Sequence, residues 1–359
     1  MHPSAWMAWV LLVMVVALAT TNPLYLAVIL LAVLLVAALA PRTATGVASF
    51  RALLVFGVVM FAVSVAVATI HGNYGDHILF TVPGPDVPDW LGGLRLGGPV
   101  SAEGLAAAAI RGMAILAVLL AFGVFNGAVS PHRVLRSTPA ALFHASLVVT
   151  VGLTLLPSSI EDVRRIREMR ALRGARGGLR DLPALVVPAV VGGLERSMRL
   201  AEAMEARGYA SSEPPPLSAR LAAALSAPLF IAAAWTWFYE SWTLPSLLFA
   251  AAGAGSAAWW FRAAAGRHHT TRFGTEPIPV LERLAIAGSL AAAALALGLR
   301  IAGHAGLTYN PFAGLLAPEF SLPGALLALA CAWPAAVIAL SPAAARAEPE
   351  PAAALEAAG

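Results

Sequence analysis

Charged side chains in this chain are concentrated in one stretch, residues 157–209, and long apolar segments make up most of the remainder. Of the 359 residues, 59% are hydrophobic and only 12% are charged. A soluble globular domain does not have this composition. Apolar segments of this length cross membranes as helices, because a helix satisfies its own backbone hydrogen bonds. The sequence therefore predicts an all-α polytopic membrane protein.

About eight segments are predicted to be transmembrane helices. They are residues 5–20, 24–40, 52–70, 104–126, 221–239, 245–261, 284–302 and 322–340. Arg42 and Arg51 mark one connection as cytoplasmic, and the acidic loop 71–101 is expected outside. This arrangement predicts a multi-pass protein of the cell (inner or plasma) membrane with both termini cytoplasmic.

A further apolar segment, residues 140–156, is long enough to cross the membrane, but such a crossing would conflict with the distribution of arginines. If it crossed the membrane, the arginine-rich stretch would lie outside, against the positive-inside rule. We therefore expect it to lie along the inner face. The predicted organisation has four parts. They are transmembrane helices in 1–138, an inner-face helix with cytoplasmic helices in 139–216, transmembrane helices in 217–342, and a disordered tail in 343–359.

Two basic amphipathic helices are predicted within the charged stretch. The first begins at Ser158, which forms an S-x-x-E capping box with Glu161. Its apolar stripe consists of Ile160, Val163, Ile166, Met169 and Leu172. The stripe of the second helix consists of Leu194, Met198, Ala201 and Met204. On that helix Arg199 is at pairing distance from Glu195 and from Glu202.

Each helix is expected to end on Arg-Gly. The first ends at Arg173-Gly174, and the second at Arg207 with Gly208 as a left-handed cap. A C-terminal arginine followed by glycine is also an ordinary helix ending. Two such endings on consecutive basic helices favour a functional role.

The sequence Ala-Met-Glu-Ala-Arg-Gly-Tyr at 203–209, after Leu-Pro-Ala-Leu-Val-Val-Pro at 182–188 and Ala-Leu-Arg-Gly at 171–174, resembles a known family. It is similar to the transmembrane T component of energy-coupling factor (ECF) transporters, the CbiQ-like proteins. The resemblance covers roughly residues 5–239. It implies two long cytoplasmic coupling helices, each ending in an arginine that docks on one of two ABC-type ATPase subunits.

The docking residues implied by this resemblance are Arg173, Gly174, Arg207 and Gly208. Supporting residues on the coupling helices are Ala203, Met204, Glu205, Ala206, Tyr209, Arg170 and Arg176. Because Arg176-Gly177 is a second Arg-Gly pair, either Arg173 or Arg176 is the first docking arginine.

The implied function is energy coupling in an ABC importer. The chain would transmit ATP-driven motion of two ATPases to a substrate-binding S component in the membrane, for uptake of a vitamin or a transition-metal ion. No enzyme activity and no cofactor are predicted. All 23 Lys and Arg residues are arginine, so the chain lacks a Walker A lysine, and a partner must hydrolyse ATP.

Other interpretations compete with this one. The basic helices suit binding of anionic lipid, which would make the chain a membrane-surface anchor or sensor. Absence of acidic pairs in the spans disfavours a secondary carrier, and nucleic acid is not an expected partner. His71, Asp76 and His77 favour a solvated loop over a metal site. Arg111 in the fourth span is either functional or reaches the outer surface. The last three spans have no counterpart in the family and no assigned role.

Overall fold

The computed structural model describes residues 1–40, 44–70, 75–83, 97–138, 142–172, 182–208, 216–238, 243–265, 278–313 and 317–340. The helices there are α1 Pro3–Ala19, α2 Pro23–Leu39, α3 Ala44–Ile70, α4 Ala102–Ala128, α5 Pro131–Arg136, α6 Phe143–Leu172, α7 Leu182–Ala206, α8 Leu217–Phe238, α9 Thr243–Ala265, α10 Val280–Ile301, α11 Leu322–Ala330 and α12 Trp333–Leu340. The strands β1 Ile78–Val82 and β2 Gly98–Ser101 form one antiparallel pair. The predicted all-α membrane class is confirmed.

Six of the described helices are long and apolar enough to cross a membrane. They are α3, α4, α6, α8, α9 and α10. The pair α11 and α12, bent by 48°, would make a seventh span if it crosses as one unit. Helices α1 and α2 are apolar but shorter, at 17 residues each. The number of about eight spans therefore stays a prediction, as does the disordered tail, which lies outside the described residues.

The predicted helix start at Ser158 is wrong. Helix α6 is continuous for 30 residues and includes Pro157 in its interior. The hydroxyl of Ser158 does not cap a new helix but donates to the carbonyl of Leu155 at 2.8 Å, and the hydroxyl of Ser159 donates to the same carbonyl at 2.9 Å. Proline within an apolar helix is tolerated where neighbouring hydroxyls compensate locally. The apolar segment 143–156 and the basic segment after it thus belong to one helix.

The chain divides into two compact units. The first contains residues 1–134 and 276–359, and the second contains residues 135–275. In the first unit α1 packs on α4 and α10, while α2 packs on α4, α11 and α12. Side chains of α1 and α2 form a large share of the core, including the fully buried Trp9, Leu12, Leu26 and Ile29. Each of these two helices therefore buries one face in the unit, while side chains such as Leu18 and Leu31 stay exposed.

Helices α3 and α4 pack closely in the same unit. A Cβ atom on Gly112 would lie 2.7 Å from the ring of Phe61, so glycine permits this approach. The outward face of α3 remains apolar and exposed, as expected of a surface in contact with lipid. In the second unit α6 packs on α7, and α8 packs on α9.

The continuity of α6 can be measured with spin labels at Val148→Cys and Glu168→Cys in a Cys331→Ala background. Both positions are exposed. Twenty residues of continuous helix separate the labels by roughly 30 Å. A right-angle break at Pro157 would shorten this distance to about 21 Å.

The matched control is Val47→Cys with Val67→Cys. These positions are also exposed and twenty residues apart, on α3, which contains no proline. Pulsed electron paramagnetic resonance should give similar distances for both pairs. A clearly shorter distance on α6 would contradict the continuous helix.

Candidate functional site

Helix α7 ends as the sequence predicts. Gly208 adopts a φ of 76°, and its N–H donates to the carbonyl of Glu205 at 2.9 Å. The N–H of Arg207 donates to the carbonyl of Met204 at 3.1 Å. Positive φ favours glycine because a Cβ atom is strained there. The predicted left-handed cap is therefore confirmed.

The surroundings of this cap are open. Arg207 is exposed together with Ala203, Glu205 and Ala206, whereas Met204 is half-buried. The guanidinium of Arg207 thus lies beside the partial negative charge of the helix C-terminus and is accessible to a partner. Arg170 lies in the last turn of α6 and is half-buried. The predicted residues Arg173, Gly174, Arg176 and Tyr209 lie outside the described residues.

One arginine connects α6 to α7. Arg196 of α7 donates to the hydroxyl of Ser158 at 2.9 Å and forms an ion pair with Asp162, both on α6. Its side chain is 36% exposed, and that of Asp162 is 40% exposed. This contact was not predicted from the sequence; Ser158 and Asp162 are four residues apart and hence lie on one face of α6.

Two further ion pairs among the described residues of these helices are local. Arg199 donates to Glu195 at 2.5 Å, which confirms one of its two predicted partners, and Glu202 stays a prediction. Arg164 and Glu168 of α6 lie 3.8 Å apart. Because these pairs are largely exposed, solvent screens them and they contribute little to stability.

A groove of about 400 Å³ lies between α6 and α7. Its lining comprises Asp162, Arg165, Ile166, Met169, Pro188, Ala189, Gly192, Glu195, Arg196 and Arg199. The predicted apolar stripes are only partly covered beside it. Leu172 is 89% exposed and Met198 is 62% exposed. Such apolar surface outside a core is typical of a contact with a partner or with lipid.

Candidate sites elsewhere are weaker. The Nδ1 atom of His77 lies 2.6 Å from a carboxylate oxygen of the buried Glu103, so this ring is held by an acid. Among the residues that the structure describes, no group of three or more His, Cys, Asp or Glu side chains is placed to hold a metal. Arg111 is exposed on α4. His71 lies outside the described part of the chain.

Comparison with known families identifies the kind of protein to which the chain belongs. Residues 2–217 match the family CbiQ, described as "Cobalt transport protein". The chain belongs to the CbiQ family. It is therefore a membrane component of a transport system, which confirms the resemblance carried by the Arg-Gly motifs. The CbiQ match includes α1–α7 and ends at Leu217, the first residue of α8, short of the predicted residue 239. No individual curated protein matches the sequence.

The contact between α6 and α7 is testable with Arg196→Ala. Loss of the bonds to Ser158 and Asp162 should loosen the two helices. A partly exposed ion pair contributes up to about 1 kcal/mol, so amide hydrogen exchange around Ser158 and Arg196 should become about fivefold faster.

Arg199→Ala is the matched control, because the hydrogen bond of Arg199 goes to Glu195 on the same helix and not to α6. Its exchange rates around Ser158 should stay close to wild type. Equal effects of the two substitutions on α6 would contradict a bridging role for Arg196.

Proposed function

We propose that this CbiQ-family chain is the energy-coupling T subunit of an ECF-type ABC importer. The observation that supports this most strongly is the end of α7, where an exposed Arg207 follows the last helical residue and Gly208 forms the left-handed cap. In this proposal α6 and α7 are the two coupling helices. Each would rest with its Arg-Gly end on one of two ABC-type ATPase subunits.

Arginine suits such a contact chemically. Its guanidinium is always charged and presents a planar set of donors that matches a carboxylate. Charge-assisted hydrogen bonds of this kind are short and directional. The left-handed glycine ends the helix directly after the arginine, and Arg207 is exposed there. An acidic or carbonyl-lined groove on an ATPase is the complementary surface.

Motion would pass through the helices themselves. ATP binding closes the paired ATPases, and their closure displaces the ends of α6 and α7. The bridge from Arg196 to Asp162 would be one weak link between the two helices during this movement. A substrate-binding S component in the membrane would receive the motion through the exposed apolar residues, and it would carry a vitamin or a transition-metal ion. The chain itself would be non-catalytic.

The remaining predictions on organisation belong to this proposal. They are the parts 1–138, 139–216, 217–342 and 343–359, a location in the cell membrane, and cytoplasmic termini. The continuous α6 extends the role of the second part, because its apolar beginning and its basic end belong to one helix.

Lipid binding is the second candidate. Arg164, Arg165 and Arg167 are exposed on α6 near the exposed Ile160 and Met169, a combination that also suits anionic phospholipid headgroups. Lipid attraction depends on total charge, whereas docking depends on the terminal arginines. Charge reversal at different positions therefore separates the two functions.

The first test is purification of the tagged chain together with its ATPases, comparing Arg207→Glu with Arg167→Glu. Both arginines are exposed, and Arg167 lies on α6 away from the helix end. A hydrogen bond to a charged group contributes about 1.5–3 kcal/mol, so Arg207→Glu should reduce the recovered ATPase at least about tenfold. Arg167→Glu should leave it near wild type.

If both variants lose the ATPases equally, or if wild type recovers none, the docking role of Arg207 is wrong. Binding to vesicles containing anionic lipid should be measured in parallel. An equal loss of vesicle binding in both variants would support the lipid function instead.

The second test distinguishes Arg173 from Arg176. Arg173→Glu and Arg176→Glu carry the same charge change three residues apart, so total charge cannot explain a difference between them. We expect one of them to reduce ATPase recovery as strongly as Arg207→Glu. Recovery at the wild-type level in both single variants would contradict a docking arginine at the first motif.

A further inference from the structure

Helix α1 is held along its whole length by residues that lie beyond the family match. Near its start the N–H of His2 donates to the carboxylate of Glu282 at 2.7 Å. In its middle the indole N–H of Trp9 donates to the carbonyl of Cys331 at 2.7 Å. After its end the hydroxyl of Thr20 donates to the carbonyl of Leu307 at 3.0 Å.

The carbonyl of Cys331 can accept the bond from Trp9 because the helix is broken between α11 and α12. In a continuous helix the carbonyl of Cys331 would accept from the N–H of Ala335. That N–H instead donates to the carbonyl of Ala332 at 3.0 Å, and Pro334 has no N–H to continue the earlier ladder. The bend between α11 and α12 thus frees a buried carbonyl, and Trp9 satisfies it.

The connection between α1 and α2 is fixed by a denser set of bonds. The side-chain amide of Asn22, 1% exposed, donates to the carbonyls of Gly306 at 3.3 Å and Glu319 at 2.9 Å. The hydroxyl of Thr21 donates to the carbonyl of Tyr309 at 3.1 Å and accepts from its N–H at 2.8 Å.

Tyr25 on α2 extends this set. Its hydroxyl donates to the carbonyl of Ser321 at 3.0 Å and accepts from the N–H of the same residue at 2.5 Å. A Cβ atom on Gly324 would lie 2.6 Å from the Tyr25 ring, so the two segments approach too closely for a larger residue.

Most of these contacts join a side chain of the family-matched part to a backbone group of the C-terminal part. Such pairs are specific, because a buried carbonyl left without its donor is costly. Apolar packing of α1 on α10 and of α2 on α11 and α12 surrounds them. Residues 278–313 and 317–340 therefore fit the faces of α1 and α2 that they contact as a partner would fit a docking surface.

We propose that residues 278–340 are a built-in membrane partner, which binds the face formed by α1, α2 and their connecting turn and closes it to other membrane proteins. The attachment depends on the buried polar contacts and on packing. The covalent connection through residues 266–277 serves only to keep this partner on the same chain. This proposal is independent of ATPase docking.

The test uses the full chain with a protease site inserted between residues 266 and 277, an N-terminal tag, and cleavage after purification in detergent. The C-terminal fragment should stay with the tagged fragment in wild type. Thr20→Val combined with Tyr25→Phe should release most of it. Tyr25→Phe alone, a mild change that preserves the ring, should release an intermediate share.

Ser64→Ala is the matched control. Its hydroxyl donates to the carbonyl of Ala108 at 3.0 Å, the same kind of bond as that of Thr20, but between α3 and α4. This variant should retain the fragment as wild type does. Uncut samples of every variant must elute at the same position in size exclusion, which separates release from misfolding. Release from cleaved wild type, or equal retention in all variants, would overturn the proposal.

Discussion

The structure depends on how backbone polar groups find partners away from water. In apolar surroundings each unsatisfied N–H or carbonyl is costly, and helices satisfy only their interiors. The chain interrupts its helices at the turn after Thr20 and at the bend near Cys331, and at both places side chains of α1 and its connecting turn supply donors. The first unit is therefore specified by a few polar contacts inside an apolar core.

The second unit follows a different principle. Its long helices leave many apolar side chains exposed, and one arginine, Arg196, bridges α6 to α7 through two polar partners. An exposed ion pair is a weak connection. A helix pair held this loosely can change its contacts at low cost. The first unit is thus held by buried polar contacts, and the second by largely exposed ones.

Local features of the sequence predicted helix bounds and one helix cap, because these depend on interactions between residues close in the chain. The length of an apolar run set the bounds of α4, expected at 104–126 and found at Ala102–Ala128. The left-handed cap at Gly208 followed from the Arg-Gly pair alone. The capping box at Ser158 failed, because the same local signal lay inside a longer helix that hydroxyl groups stabilise around Pro157. The contacts of Trp9 with Cys331 and of Arg196 with Asp162 had no local signature, since tertiary packing alone brings these residues together.

At the end of α7, the groups that terminate the helix differ from the group that is exposed to a partner. The bonds that terminate the helix are made by backbone N–H groups, and the conformation is supplied by Gly208. The guanidinium of Arg207 is exposed, and its attraction to the helix dipole contributes only about 0.3–1 kcal/mol. Another cation at this position would satisfy the fold equally well. The planar set of donors of Arg207 is therefore not required by the fold, and we propose that it serves recognition of a partner.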